Sequence, residues 1–209
     1  VYCKLYAVRF KMVRLYKNFD VNKNHKRSII LIGNFDGVHL GHQKLLKLAE
    51  LYKKKYKLKI GVINFDPMPK MFFNKSIKNF RLSSINQKLN LLSNFGVDFI
   101  VTKKFDKTFS KTKSINFIKN ILSKKLKARF IFVSNNFRFG NKREGDVRFL
   151  IQNEEKYNYK VIKPKPLLVN KKIVSSTLIR RYLEKGFLER TNRLLKRKWS
   201  IEGMVQKGR

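Results

Sequence analysis

The run Ile29-Ile30-Leu31-Ile32-Gly33-Asn34-Phe35-Asp36-Gly37-Val38-His39-Leu40-Gly41-His42 decides how this chain is read. Four consecutive apolar residues read as a strand buried on both faces. Three glycines and two imidazoles three residues apart follow, and then Leu45, Leu46 and Leu48 continue with helical spacing. The local order is strand, glycine-rich turn, helix. A helix N-terminus presents unpaired N–H groups and a partial positive charge, so it attracts phosphate. No Gly-Lys-Ser/Thr closes the turn, so it is not a P-loop, and the glycine spacing does not match a dinucleotide fingerprint.

Outward from this turn, apolar strand-like runs recur at 28–33, 59–65, 97–102, 129–134 and 159–163. Helix-like stretches separate them at 41–54, 84–95, 113–125 and 145–156. Such alternation predicts an α/β fold, a parallel sheet with helices on both faces. Ligands in these folds bind beyond the C-terminal ends of the strands. Three unusual segments fall at strand ends: the histidine turn, Phe65-Asp66-Pro67-Met68-Pro69, and Asn135-Asn136-Phe137-Arg138-Phe139-Gly140. All three are expected to converge on one crevice. Further on, Ser175 or Ser176 caps a helix carried by Leu178, Ile179, Tyr182 and Leu183 and stopped at Gly186, with a second short helix at about 187–195.

At 209 residues, with 43% hydrophobic content, the chain can bury a domain-sized core. Fifty Lys and Arg against 13 acidic residues give a formal charge of +37. A balance that basic points to nucleic acid or an anionic membrane when the charge is clustered. Here it is spread along the whole chain, so no specific nucleic-acid partner is expected, and the field would equally attract anionic nucleotides. The single cysteine, Cys3, forms no internal disulfide and fits a reducing cytoplasm. No apolar run reaches transmembrane length. The chain begins with Val1, and residues 1–11 read as a non-native or disordered extension ahead of Met12.

The chemistry-bearing residues fall into four groups. His39 and His42 can donate to phosphate oxygens and stabilise charge that develops there. Ser175, Ser176, Thr177 and Arg180 form a second clamp of hydroxyls and a forked guanidinium, while Arg181 turns to solvent. Pro67, Met68 and Pro69 with Phe72 and Phe73 either end a strand or wall a flat heterocycle. Phe137 and Phe139 alternate as core residues would, or begin a mobile loop over a ligand.

Taken in order, G-N-F-D-G-V-H-L-G-H, F-D-P-M-P, N-F-R-F-G followed by G-D, and S-S-T-L-I-R resemble one family closely. It is the FMN adenylyltransferase module of the bacterial bifunctional riboflavin kinase/FAD synthetases, within the H-x-G-H nucleotidyltransferases. The similarity covers about Arg14 to Arg209 and implies a Rossmann-like nucleotidyltransferase fold. It further implies that AMP passes from ATP to FMN, giving FAD and pyrophosphate. His39, His42, Asn136 and Arg180 would then be catalytic. Gly33, Asn34, Phe35, Gly37, Ser175, Ser176 and Thr177 would bind ATP, and Asp66, Pro67, Met68, Pro69, Phe137, Arg138 and Phe139 would bind FMN. Mg²⁺ would be carried mainly by the ATP phosphates, with no protein metal cage.

The chain departs from the family pattern at Met68, where many relatives carry His, and at Ser134, where many carry Gly. Neither change removes a phosphate-handling residue. Residues 12–197 would form the adenylyltransferase domain. The ending, 198–209, resembles the start of the family's riboflavin kinase barrel, whose Pro-Thr-Ala-Asn type motif does not follow. Riboflavin phosphorylation is therefore not expected of this sequence. The rival readings are a nucleotidyltransferase for a pantetheine or nicotinate phosphate, a class I aminoacyl-tRNA synthetase fragment, and a basic nucleic-acid-binding protein. The F-D-P-x-P and N-F-R-F-G segments argue against the first, and the lack of a lysine-serine loop against the second.

Overall fold

The protein is described as a computed structural model over residues 13–77 and 81–202. The expectation for residues 1–11 lies outside the described residues, as does most of the 198–209 segment. In chain order the elements are β1 (Arg14–Tyr16), β2 (Ile29–Ile32), α1 (Leu40–Tyr56), β3 (Ile60–Asp66), α2 (Pro69–Phe73), α3 (Ile85–Asn94), β4 (Phe99–Lys104), α4 (Lys107–Ser110) and α5 (Ser114–Asn116). The chain runs on from α5 as a π-helix over Phe117–Lys125. There follow β5 (Phe130–Phe132), β6 (Arg138–Phe139), β7 (Gly145–Asp146), α6 (Val147–Gln152), α7 (Glu154–Tyr157), β8 (Lys160–Ile162), β9 (Leu168–Val169), β10 (Lys172–Ile173), α8 (Ser176–Glu184) and α9 (Leu188–Leu195).

Six strands pair all-parallel in the order β1-β4-β3-β2-β5-β8. From β2 the sheet grows first through β3 to β4, then crosses back to β5 and β8. The reversal of direction therefore falls between β2 and β5, the switch point at which such sheets bind ligands. The histidine turn leaves the end of β2, and Ser134–Asn136 leave the end of β5.

Strand alternation divides the core into two layers. Ile30, Ile32, Ile63, Phe99, Val101 and Ile131 pack with Phe117, Ile118, Ile121 and Leu122 of the π-helical stretch and Leu150 of α6. Ile29, Leu31, Val62, Ile100, Phe130 and Phe132 face the other way, onto Leu45, Leu46 and Ala49 of α1 and Leu92 of α3. A third cluster of Leu82, Val174, Ile179, Leu194 and Leu195 binds the α8–α9 pair to the mouth of the sheet.

The five expected strands and four helical stretches are present with ends shifted by up to two residues, apart from the long last helix. That stretch, read as 145–156, breaks at Asn153 into α6 and α7. Its first two residues are strand β7, whose Asp146 caps α6 by accepting from the Phe149 N–H at 2.9 Å. The short extended segment after Pro166 is the β9–β10 hairpin, but its pairing, that of β6–β7 and the edge strand β1 were not read, because two or three residues carry no periodicity.

Candidate active site at the end of the central strand

After Ile32 the chain cannot stay extended, because the register with β3 ends once the Gly33 N–H donates to the Ile63 carbonyl at 3.0 Å. It coils through a tight turn in which Phe35, Gly37 and Val38 all adopt positive φ, +48°, +76° and +38°. Positive φ is costly for a β-branched residue, so Val38 must be held by its surroundings. Val38 is fully buried, and its carbonyl accepts from the Gln43 amide at 2.9 Å. The same amide donates to the Leu195 carbonyl at 2.9 Å, tying the turn to α9. Arg197 adds a bond from its guanidinium to the Gly37 carbonyl at 2.9 Å.

Asp36 is the hub of the turn. Its carboxylate accepts from the Leu82 N–H at 2.9 Å and is paired with the Arg180 guanidinium. Its carbonyl accepts from the Ser176 hydroxyl at 2.9 Å. The Gly37 N–H donates to the Ser83 hydroxyl at 3.2 Å. Ser175 caps α8, accepting from the Leu178 N–H at 3.2 Å. The distant S-S-T-L-I-R segment is thus fastened directly to the histidine turn. Thr177 stays exposed beside it, and Arg181 is exposed as expected.

His39 and His42 open α1 with their rings stacked, centroids 3.7 Å apart and planes 20° from parallel. Gly41 makes this possible, since a Cβ there would lie 3.1 Å from the His39 ring and 3.3 Å from the Val174 carbonyl. Phe35 closes the far side, its ring centroid 5.0 Å from that of His42. Burial, then the Arg180 charge, pulls the His39 pKa down to about 4. Burial, then the His39 and Lys88 charges, holds His42 well below the ordinary imidazole range. Both imidazoles are therefore neutral at pH 7. The Nδ1 of each lacks a hydrogen-bond partner although buried.

Next to this loop, β3 and α3 enclose a small cleft lined by Asp36, Asn64, Asp66, Met68, Arg81, Lys88 and Thr102 among others. Its enclosed volume is about 10 Å³, room for about one water molecule. Asp66 is paired with Arg81 at the rim. Met68 is buried, and Pro67 and Pro69 carry the chain into α2, with Pro69 at its first position. Lys88 also reaches the histidine turn, donating to the Asn34 carbonyl at 3.4 Å.

The remaining site residues are farther along the sheet edge. Asn136 is exposed beyond β5, its carboxamide accepting from the Ser134 hydroxyl at 2.9 Å. Phe137 and Phe139 stack at 5.4 Å, and Phe139 packs into the core against Phe117. Arg138 pairs with Asp146 across the β6–β7 hairpin at 3.4 Å. A relay of ring contacts through Phe117, Phe109 and Phe105 connects this hairpin to Phe72 on α2. The two segments read as flavin walls therefore share one aromatic layer, without facing each other across the 10 Å³ cleft.

Asn64, Arg81, Ser83, Lys88 and Arg197 were missed by sequence reasoning. Only Asn64 carried a signal, as the lone polar residue inside the apolar run Ile60-Gly61-Val62-Ile63-Asn64-Phe65.

An H-x-G-H turn at the switch point of a six-stranded parallel sheet, clamped by an S-S-T-x-I-R helix, defines an α/β protein of Rossmann-like nucleotidyltransferase fold. Comparison with known proteins narrows the class. The FAD synthetase family profile matches residues 21–178. The chain is 41% identical over 201 residues to the bifunctional riboflavin kinase/FMN adenylyltransferase of Buchnera aphidicola (Schizaphis graminum), covering 95% of this chain and 63% of that protein. It is 33% identical to the Escherichia coli K12 protein of the same description, covering 86% and 58%. An FAD synthetase of Listeria monocytogenes is 31% identical, with 90% and 76% covered. This chain belongs to the FAD synthetase family. It spans about 60% of the length of the bifunctional relatives. A solved Streptococcus pneumoniae structure, described as a macrolide-efflux protein, superposes with a TM-score of 0.76 at 23% identity, covering 88% of this chain and 60% of that one. That likeness bears on the fold alone. Among the described residues no helix is long and apolar enough to cross a membrane.

Proposed function

We propose that this chain is an FMN adenylyltransferase, transferring AMP from ATP to FMN with release of pyrophosphate. The observation that carries the reading is the fastening of Arg180 and Ser176 to Asp36, which puts the guanidinium, two hydroxyls and both imidazoles around one turn. The FMN phosphate is anionic at pH 7 and attacks the α-phosphorus in line, so no general base is needed. Catalysis then consists of alignment and of donors aimed where charge grows on the α-phosphate and the leaving pyrophosphate. His39 and His42 are those donors, and each has a ring nitrogen without a competing partner. Phosphate charge beside them restores the pKa that burial lowers, so a bound triphosphate favours imidazolium.

Ser175, Ser176, Thr177 and Arg180 would take the outer phosphates, with the backbone of Gly33, Asn34, Phe35 and Gly37 beneath. Asn136, just past the end of β5, would orient phosphate from the other side of the switch point. Asp66, Pro67, Met68 and Pro69 would flank FMN, with Phe137, Arg138 and Phe139 beyond. The carboxylates nearest the turn, Asp36 and Asp66, are each taken by an arginine. Mg²⁺ would therefore enter on the triphosphate, held by its oxygens and water, and would supply further charge neutralisation. The domain would span 12–197 and work in a reducing, cytoplasmic setting. The test is incubation with ATP, Mg²⁺ and FMN, following FAD by its quenched fluorescence and its chromatographic mobility. FAD formation supports the reading; its absence, with steeply salt-dependent retention on DNA or RNA, would favour the nucleic-acid reading. Riboflavin in place of FMN lacks the attacking phosphate and should yield no FAD.

A further inference from the structure

Among the described residues six buried side-chain polar atoms lack a hydrogen-bond partner, and five belong to Asn34, His39, His42 and Asn64. The histidines and Asn34 sit in the phosphate turn. Asn64 does not, and the role of the turn leaves it unexplained. It lies in the middle of the sheet, 1% exposed, one residue past Ile63 and in register with Thr102 of β4. Its parity is that of Val62, so it points to the α1–α3 layer, into the cleft that Lys88 of α3 also lines. Both atoms of its carboxamide are unsatisfied there. An apolar residue of the same size would fit this strand better, because a buried amide without partners destabilises a fold.

We propose that Asn64 and Lys88 form the subsite for the phosphomonoester of the acceptor, each donating to an oxygen of that group. The inference rests on the adenylyltransferase reading above and names which part of FMN enters the cleft. The charges around it decide which part. Asp36 is neutralised by Arg180 and Asp66 by Arg81, which leaves Lys88 as the cation facing the cleft beside a free amide donor. Burial already lowers the Lys88 pKa, a desolvation cost that an incoming dianion would relieve. The cleft adjoins the histidine turn, through the Lys88–Asn34 contact and the Gly33–Ile63 bond, so a phosphate there is next to the α-phosphorus it must attack.

The test compares FMN with riboflavin, which lacks the phosphate, by flavin fluorescence titration of wild type, Lys88→Gln and Asn64→Leu. Wild type should prefer FMN. Each variant should weaken FMN binding about 10- to 100-fold, as expected for a lost bond to a charged group, and leave riboflavin binding unchanged. KM for FMN should rise while KM for ATP holds. Asn64→Leu should also melt at or above the wild-type temperature, which separates a lost ligand contact from a damaged fold. Equal effects on FMN and riboflavin, no effect on either, or a rise confined to KM for ATP would each overturn the subsite. Failure of wild type to make FAD would overturn the activity instead, and the binding preference is measured without turnover.

Discussion

His39 shows how one buried side chain sets both reactivity and stability. Its pKa is about 4 in the folded chain against an ordinary 6.5. As pH falls, the unfolded chain takes up this proton first, so the residue's contribution is full above about pH 6.5 and is lost toward pH 4. Between pH 7 and pH 5 the loss is about 2 kcal/mol. Urea denaturation at the two pH values should show it, and His39→Gln should flatten the slope. For turnover, His39→Ala or His42→Ala should reduce FAD formation by about 10²–10³, the usual cost of one preorganised donor, with FMN affinity nearly intact. Unchanged turnover in both variants would refute the role given to the pair. Arg180→Ala removes the guanidinium paired with Asp36 as well as the proposed phosphate contact, so it should raise KM for ATP and also soften the turn.

At the scale of elements, two glycines separate packing from function. In β3, a Cβ on Gly61 would lie 2.2–2.7 Å from the Phe99 ring of the neighbouring strand. Gly61→Ala should therefore destabilise the central sheet by at least about 1–3 kcal/mol, read as a lowered melting temperature. At the start of α1, Gly41→Ala pushes on the His39 ring and on the Val174 carbonyl, at 3.1 and 3.3 Å. It should lower turnover far more than it lowers the melting point. The strands and the first helices were legible because their apolar periodicity extends over four or more residues. The π-helical stretch 117–125 was read as an ordinary helix, since both bury the same Phe117, Ile118, Ile121 and Leu122. Asn153 broke the last helix without a proline or glycine to announce it.

The whole molecule carries +37, spread along its sequence. A field of that sign attracts ATP and FMN from a distance and is screened over about 8 Å at physiological ionic strength. KM for ATP should rise with added salt, while kcat changes little, because the donors at the α-phosphate act at contact. A kcat that falls with salt as steeply as KM rises would place the effect in the site. The α8–α9 pair is the other global feature. Through Ser176, Arg180 and Leu195, with Arg197 just beyond, it grips residues 140–160 positions earlier in the chain, so the candidate site is assembled only once the last helices have docked.

The order of strands and helices, the histidine turn, the S-S-T-L-I-R helix and the family are written in the sequence itself, because each depends on local periodicity or on short motifs of contiguous residues. The partners of those motifs are not. That Asp36 would be bound by Arg180, that the two imidazoles would stack and stay neutral, and that Asn64 and Lys88 would share a cleft required the folded chain. Burial and charge pairing are properties of what the fold brings within a few ångströms, and no spacing along the chain encodes them.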